Sequence, residues 1–261
     1  MIRAIAIAVL LALATTARAE PTDRERRNHL IMLAVLGAAY SGLEFTPLND
    51  TLSPSRCTWC NPPGFDASIR NALVWRDPTR AALISNLTGY VSEPVAMTGL
   101  LVAATASRAD WRRWFDDLAP VYEAAIATSL VQHGVKLLAA RQRPYAHFAG
   151  PASMPADVED NVSFWSGHSS LTFSLAVGAS TVASMRGYRI APVIWGTGLA
   201  LAATTAYLRI AADRHYFSDV VTGAVIGSVV GFGWPRLLHS HLGESTAVVP
   251  TTNGIAIAGV F

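Results

Sequence analysis

The stretch SFWSGHSS, residues 163–170, decides how the rest of this chain is interpreted. Its turn Ser166-Gly167-His168 runs into an apolar segment, Leu171–Met185, that we expect to be helical. A hydroxyl, a glycine N–H and an imidazole then lie at a helix N-terminus, where free backbone donors and the helix dipole attract anions. Because a Ser-Gly-His triplet alone identifies nothing, the flanking sequence must decide.

A basic segment precedes this turn. Lys136 and Arg143 are seven residues apart, which is two helical turns, so we expect both cations on one face of a helix. Pro144 is unfavourable inside a helix, so we expect the helix to end there, with Arg143 at its C-terminal end. A basic helix end that only complements the macrodipole has the same pattern.

A third polar segment follows the turn. Arg209 ends an apolar stretch, and His215 and Asp219 are separated by four residues. On a helix this spacing lets the carboxylate hold one imidazole nitrogen and leave the other exposed. Taken together, the three segments supply three cations, an anion cradle and two histidines, which suits in-line phosphoryl transfer.

These three segments resemble the ordered signature of the type 2 phosphatidic acid phosphatase / vanadium haloperoxidase superfamily. Lys136, Arg143 and Pro144 match its first part. The second part is matched by Ser166, Gly167 and His168, and the third by Arg209, His215 and Asp219. The resemblance covers about residues 118–235 and implies the phosphatase branch. Trp165 replaces the usual proline and Leu208 the usual serine, which bears on substrate preference.

The resemblance also implies a role for each residue. His215 is expected to be the nucleophile, Asp219 to orient it, and His168 to be the proton donor and acceptor. The phosphoryl group would be held by Lys136, Arg143, Ser166, Gly167 and Arg209. No metal or other cofactor is implied, because fixed cations neutralise the charge. We expect Arg141, Arg214, His147 and His133 to be structural or solvated rather than catalytic.

Composition points towards an apolar, helical protein. Of 261 residues, 51% are hydrophobic and only 15% are charged, and the mean hydropathy is +0.33. A formal net charge of +2 is too small to indicate a nucleic-acid partner. We expect an all-α bundle of five to six core helices, embedded in a membrane, with a short C-terminal β-hairpin whose turn is Asn253-Gly254.

The N-terminus has the features of an export signal. Arg3 precedes an apolar run, and the small residues Ala17 and Ala19 favour cleavage after residue 19. Cys57 and Cys60 would then form a disulfide in an oxidising compartment. We therefore expect a signal peptide at 1–19, an N-terminal helix and cysteine loop at 20–80, a catalytic bundle at 81–238 and a tail at 239–261.

Basic residues in the connections predict the orientation of the bundle. The predicted core helices are 82–106, 118–140, 168–185, 190–210 and 217–234. Arginines follow the first, third and fifth of them: Arg108, Arg112, Arg113, Arg186, Arg189 and Arg236. By the positive-inside rule the three motifs then face away from the cytoplasm. Residues 29–43 are short for a membrane span, so we expect a packed or interfacial helix there, and Arg24, Arg26 and Arg27 are expected on the motif side.

Alternative interpretations remain. Polar residues inside the candidate spans favour a soluble, exported acid phosphatase acting on small phosphomonoesters: Glu93, Glu123, Gln132 and His133. The same anion pocket would serve a vanadate-dependent haloperoxidase. A membrane protein that binds phosphorylated lipid without hydrolysing it is a third alternative, against which the complete set of both histidines and Asp219 argues.

Overall fold

The computed structural model describes residues 21–105, 110–149, 157–240, 247–251 and 254–258. The predicted signal peptide, Arg108 and the predicted turn residue Asn253 lie outside these ranges. Within them, almost all regular structure is helical. The helices are α1 (Asp23–Glu44), α2 (Leu48–Leu52), α3 (Gly64–Leu73), α4 (Pro78–Leu87), a π-helical turn (Thr88–Ser92), α5 (Glu93–Ala104), α6 (Trp111–Ala139), α7 (Pro144–Ala149), α8 (Gly167–Met185), α9 (Ala191–Ala211) and α10 (Phe217–Ser240).

Helix α8 is the centre of the bundle. Nearly all of its side chains from His168 to Ala183 are buried, because helices α6, α9 and α10 surround it. Its Leu175 and Val182 join Met97, Leu101 and Val121 in the main apolar core. The second motif therefore begins at the N-terminus of the most buried helix in the described chain.

Helix α10 approaches α8 through a row of glycines. A Cβ added at Gly223, Gly227 or Gly231 would lie 2.6, 2.3 or 2.5 Å from a carbonyl oxygen of α8 or of its N-terminal turn. Those oxygens belong to Ser166, Ser170 and Ser174, which are also spaced by four. Backbones can approach this closely only where side chains are absent or small, as in membrane bundles.

Helix α1 is longer than the sequence predicted. It begins at Asp23, where Thr22 and Glu25 form a capping box, rather than near His29. Arg26 bonds Asp116, His29 lies 2.8 Å from Glu123, and Glu44 lies 2.7 Å from His133. In these three contacts the residue numbers increase together along α1 and α6. The two helices therefore run parallel to each other.

The two ends of the bundle differ in chemistry. Arg113 Nε donates to the Tyr188 hydroxyl at 3.2 Å, and Arg186 Nε donates to Asp117 at 2.7 Å, so the start of α6 meets the end of α8. Arg26 bonds Asp116 at this same end, and the prediction that it lies on the motif side is wrong. Parallel packing of α1 on α6 is the reason.

Three of the described helices are long and apolar enough to cross a membrane: Pro78–Ala104, Ala191–Ala211 and Phe217–Leu237. Exposed apolar side chains recur every four residues along two of them. One row is Leu83, Leu87, Val91 and Val95, and the other is Val221, Val225 and Val229. A stripe at this spacing lies on one face of a helix, so apolar faces point outward from the bundle.

The C-terminal hairpin is present. Strand β1 (Ala247–Thr251) pairs antiparallel with β2 (Gly254–Ala258). Gly254 pairs with Thr251 and belongs to the second strand, so the predicted turn position is wrong by one residue.

Candidate active site

A cavity of about 310 Å³ opens at the end of the bundle where α6 ends and α8 begins. Residues of all three motifs line it, although they are up to 79 positions apart in the chain. They are Lys136, Arg143, Gly167, His168, Arg209 and His215. Its size is at the lower end of the range for small-molecule pockets, which suits a phosphoryl group with part of its leaving group.

The two cations of the first motif reach the cavity by different routes. Lys136 lies in the last turn of α6, which ends at Ala139 because Ala140 takes the left-handed conformation with φ 41°. Arg143 lies beyond the helix, and Pro144 begins α7 instead of ending α6. Both side chains line the cavity as predicted, but the expected reason, a shared helix face, is wrong.

Arg143 is held by the short turn at residues 157–160. Its Nε donates to the Glu159 carbonyl at 2.8 Å, and its Nη2 lies 3.5 Å from the Glu159 carboxylate. Arg214 also lies 3.3 Å from that carboxylate. Glu159 thus presents a carboxylate to two cations at the cavity wall, and sequence analysis gave no sign of it.

The second motif caps helix α8. The Ser166 hydroxyl accepts from the Ser169 N–H at 3.4 Å and is fully buried, so it holds the helix terminus and does not line the cavity. Gly167 does line the cavity. A Cβ at Gly167 would lie 3.2 Å from the Gln132 side chain, so glycine suits this close approach.

His168 is enclosed by residues from outside the three motifs. Its Nε2 lies 2.8 Å from Asn86 Oδ1. The ring centroid is 4.5 Å from that of Tyr90, and only 8% of the residue is exposed. Asn86 and Tyr90 both line the cavity and are separated by four residues, so they share one helix face.

Arg209 enters the cavity from the last turn of α9. Its Nη1 donates to Ser85 Oγ at 3.0 Å and lies 3.4 Å from Asn86 Oδ1. Its Nε is buried and has no hydrogen-bond partner among the described residues. A buried guanidinium with an unused donor is suited to receive an anionic oxygen from a ligand.

His215 is oriented differently from the prediction. Its Nδ1 lies 2.7 Å from the Ser163 carbonyl oxygen and 3.8 Å from Asp219 Oδ2. A carbonyl oxygen only accepts, so Nδ1 carries the hydrogen and Nε2 keeps its lone pair. Burial lowers the pKa of His215 well below its ordinary value, and the charges of Arg143 and Arg209 lower it further. The imidazole is therefore neutral at neutral pH.

Asp219 helps to fix the residues around His215 through its own contacts. It accepts from Ser163 Oγ at 2.6 Å and from the Tyr216 N–H at 2.9 Å, and it pairs with Arg141. The Arg141 guanidinium stacks between Trp59 and Tyr216, 3.9 and 4.4 Å from the ring centroids. Arg141 is buried and structural, as the sequence predicted.

The predicted disulfide between Cys57 and Cys60 is present, and its loop is attached to the first motif. The Thr58 N–H donates to the Ala140 carbonyl at 3.0 Å, and the Gln142 N–H donates to the Trp59 carbonyl at 3.0 Å. The loop therefore holds Trp59 over Arg141 and indirectly supports Asp219.

Two further histidines and the two departures from the superfamily pattern differ in their relation to the cavity. His147 packs edge-on to Phe148 and does not line the cavity, whereas His133 does. Trp165 and Leu208, the two departures from the superfamily pattern, are buried outside the cavity lining. Neither replacement therefore alters the cavity wall directly.

Several cavity residues were not predicted, some of them close to a motif in sequence and others far from every motif. They are Tyr40, Glu44, Ala82, Asn86, Tyr90, Ser129, Gln132, Glu159, Val162 and Leu171. No spacing rule connects residues of α1 or α4 to a motif more than 45 positions away. Only the packing of these helices on α6, α8 and α9 brings them to the site.

Comparison with protein families gives one match. The model described as the PAP2 superfamily matches residues 117–241. This part of the chain belongs to the PAP2 superfamily. Comparisons with curated proteins and with solved structures give no match. PAP2 proteins generally have phosphatase-type activity on phosphoesters, and the cavity lies where the three superfamily motifs of this chain meet.

Proposed function

We propose that this PAP2 protein is a phosphatase that hydrolyses a phosphomonoester or diphosphate of a lipid through a phosphohistidine intermediate. The observation that carries the proposal is that His168 and His215 line one cavity together with Lys136, Arg143 and Arg209. Two imidazoles supply a nucleophile and a proton donor, and three cations offset the charge of the phosphoryl oxygens.

In the first step, His215 Nε2 attacks the phosphorus atom, a nitrogen–phosphorus bond forms, and the phosphorus–oxygen bond to the leaving group breaks. His168, which enters this step as the imidazolium, gives one of its two ring protons to the leaving oxygen and becomes neutral. The positive charge on the His215 ring is stabilised by the Ser163 carbonyl at Nδ1 and by Asp219 at 3.8 Å.

In the second step, His168 takes a proton from water, whose oxygen attacks the phosphorus atom. The nitrogen–phosphorus bond then breaks, and phosphate and neutral His215 are regenerated. Lys136, Arg143, Arg209 and the Gly167 N–H would bind the phosphoryl oxygens throughout. Ser166 would contribute by capping α8, which fixes the direction of that N–H.

The exposed apolar rows support a lipid substrate. Along α10, Val225 and Val229 are 56% and 65% exposed, which is costly in water and favourable in a bilayer. A lipid head group could enter the cavity at the end of such a bundle while its acyl chains stay in the membrane. We infer an integral membrane protein with its site on the non-cytoplasmic side.

The test is phosphate release from lipid phosphates, lipid diphosphates and soluble monoesters, measured on membrane and soluble fractions. His215→Ala should lower turnover by about 1,000-fold or more, because alanine has no nucleophile with which to form the phosphohistidine intermediate. His147→Ala, which alters a histidine outside the cavity, is the matched control. Retained turnover in His215→Ala, with an unchanged unfolding midpoint, would eliminate the proposed nucleophile.

The same panel separates the alternatives. A soluble acid phosphatase would act on small monoesters and appear in the soluble fraction. A haloperoxidase would oxidise halide when given vanadate and peroxide and would release little phosphate. Lipid binding without phosphate release from any substrate would favour the non-catalytic alternative.

A further inference from the structure

One turn of α4 contacts both a cation and a histidine of the site. Ser85 and Asn86 both contact the Arg209 guanidinium, and Asn86 alone also contacts His168. This turn lies outside residues 117–241, the part of the chain that matches the PAP2 superfamily. Its role at the site therefore rests on the contacts alone.

The contacts determine which way the Asn86 amide faces. Its Oδ1 is 3.4 Å from Arg209 Nη1 and 2.8 Å from His168 Nε2. A guanidinium nitrogen can only donate, so the amide atom that faces Arg209 must be the oxygen. The same oxygen then requires a donor at His168 Nε2, so Nε2 carries a hydrogen.

The His168 ring is also confined by its other neighbours. A Cβ added at Gly89 would lie 3.3 Å from His168 Cδ2, and the Tyr90 ring covers the imidazole at 4.5 Å between centroids. No described residue bonds Nδ1, and His168 lines the cavity. The ring thus has one nitrogen fixed on Asn86 and the other available for chemistry.

We propose that Asn86 is a positioning residue that binds the Nε2–H of His168 and so makes Nδ1 the atom that exchanges a proton with the substrate. It parallels the Ser163 carbonyl, which binds Nδ1–H of His215. Each histidine is then held by a neutral oxygen acceptor, through opposite ring nitrogens. The kinetic consequences rest on the proposed phosphatase function, whereas the tautomer does not.

The kinetic experiment compares two substrates that differ in leaving group. Asn86→Leu should slow release from an alkyl phosphate about 10- to 100-fold, because a poor leaving group needs a well-placed proton donor. With p-nitrophenyl phosphate, whose leaving group needs no proton, the burst of p-nitrophenol in the first turnover should change less than about threefold, because it precedes the step in which His168 activates water. Asn86→Asp keeps an oxygen acceptor for His168 Nε2–H. Because a carboxylate favours the imidazolium form of His168, the alkaline limb of the pH dependence of kcat should shift to higher pH.

Ser85→Ala is the matched control, since Ser85 contacts Arg209 and not His168. It should slow both substrates by the same factor. Equal slowing of both substrates by Asn86→Leu would overturn the proposal, as would an unshifted pH profile in Asn86→Asp.

A second readout does not depend on activity. In full-length protein labelled with ¹⁵N-histidine and solubilised in detergent, NMR of the ring nitrogens should show His168 protonated at Nε2, assigned with His168→Ala. Asn86→Leu should change that tautomer population. A wild-type spectrum in which the neutral His168 ring has its hydrogen on Nδ1 would overturn the proposal. An Nε2–H spectrum in a protein without phosphatase activity would support the positioning role and remove only the proposed function.

Discussion

At the scale of single residues, a partly exposed carboxylate lies among the cations of the site. Glu159 lies 3.5 Å from Arg143 and 3.3 Å from Arg214, where a substrate anion would also bind. Its side chain is 48% exposed, so water screens the pairs and each is weak. A weakly held carboxylate can be displaced by a phosphoryl group, which carries more charge.

We therefore predict that Glu159→Gln strengthens anion binding. Removing the competing charge should lower the KM for phosphate substrates and the inhibition constant of inorganic phosphate about two- to fivefold. Steady-state kinetics at low ionic strength measures both constants. Asp50→Asn, which removes one exposed charge away from the cavity lining, is the control. Weaker phosphate inhibition in Glu159→Gln would show that the carboxylate assists binding instead.

At the scale of elements, the packing of α10 on α8 decides whether the two histidines share a cavity. His168 is in the first turn of α8, and Asp219 beside His215 is in the first turn of α10. The Ser166 N–H donates to the Asp219 carbonyl at 3.1 Å, which joins the two helix starts directly. The glycine row of α10 permits this approach.

We predict that Gly227→Ala separates these helices. Its Cβ would lie 2.3 Å from the Ser170 carbonyl oxygen, and the backbone must shift to remove the clash. Unfolding in detergent should show a loss of about 1–3 kcal/mol, and turnover should fall as the site widens. The control is Gly233→Ala on the same helix, where an added Cβ meets nothing within 4 Å. Equal stability of the two variants would contradict the close-packing account.

At the scale of the whole molecule, basic side chains lie at both ends of the bundle. The site end holds the motifs, and the opposite end holds Arg26, Arg113 and Arg186. In the orientation proposed above, Arg26 lies with Arg113 and Arg186 on the cytoplasmic side. That position means that α1, if it crosses the membrane, begins on the cytoplasmic side, whereas cleavage after residue 19 on the outer side would begin it outside.

Cysteine labelling tests this orientation. The chain has two cysteines, both in the disulfide, so an introduced cysteine gives a distinct signal. In right-side-out vesicles, an impermeant maleimide should label Asp50→Cys at the site end at once. Arg189→Cys, at the opposite end, should react only after permeabilisation. The reverse pattern would place the site on the cytoplasmic side.

Much of the fold could be predicted from local patterns. The five helices between residues 82 and 234 were located within a few residues, except for the starts of α4 and α6 and the end of α10, since apolar segments bounded by polar turns indicate helices reliably. The start of α1 was missed because its capping box precedes a polar first turn that resembles a solvated tail. The end of α6 was predicted within one residue, but the helix face expected to carry both Lys136 and Arg143 does not exist, because Ala140 adopts a left-handed conformation that its sequence does not signal.

The sequence by itself determined the helical class, the disulfide and the residues that match the superfamily motifs, because each depends on residue type and short spacing. Only the tertiary structure decided what holds those residues: the Ser163 carbonyl rather than Asp219 on His215 Nδ1, Asn86 on His168, and Glu159 between two arginines. Such contacts join residues far apart in the chain. They arise from how whole helices pack, which no local pattern encodes.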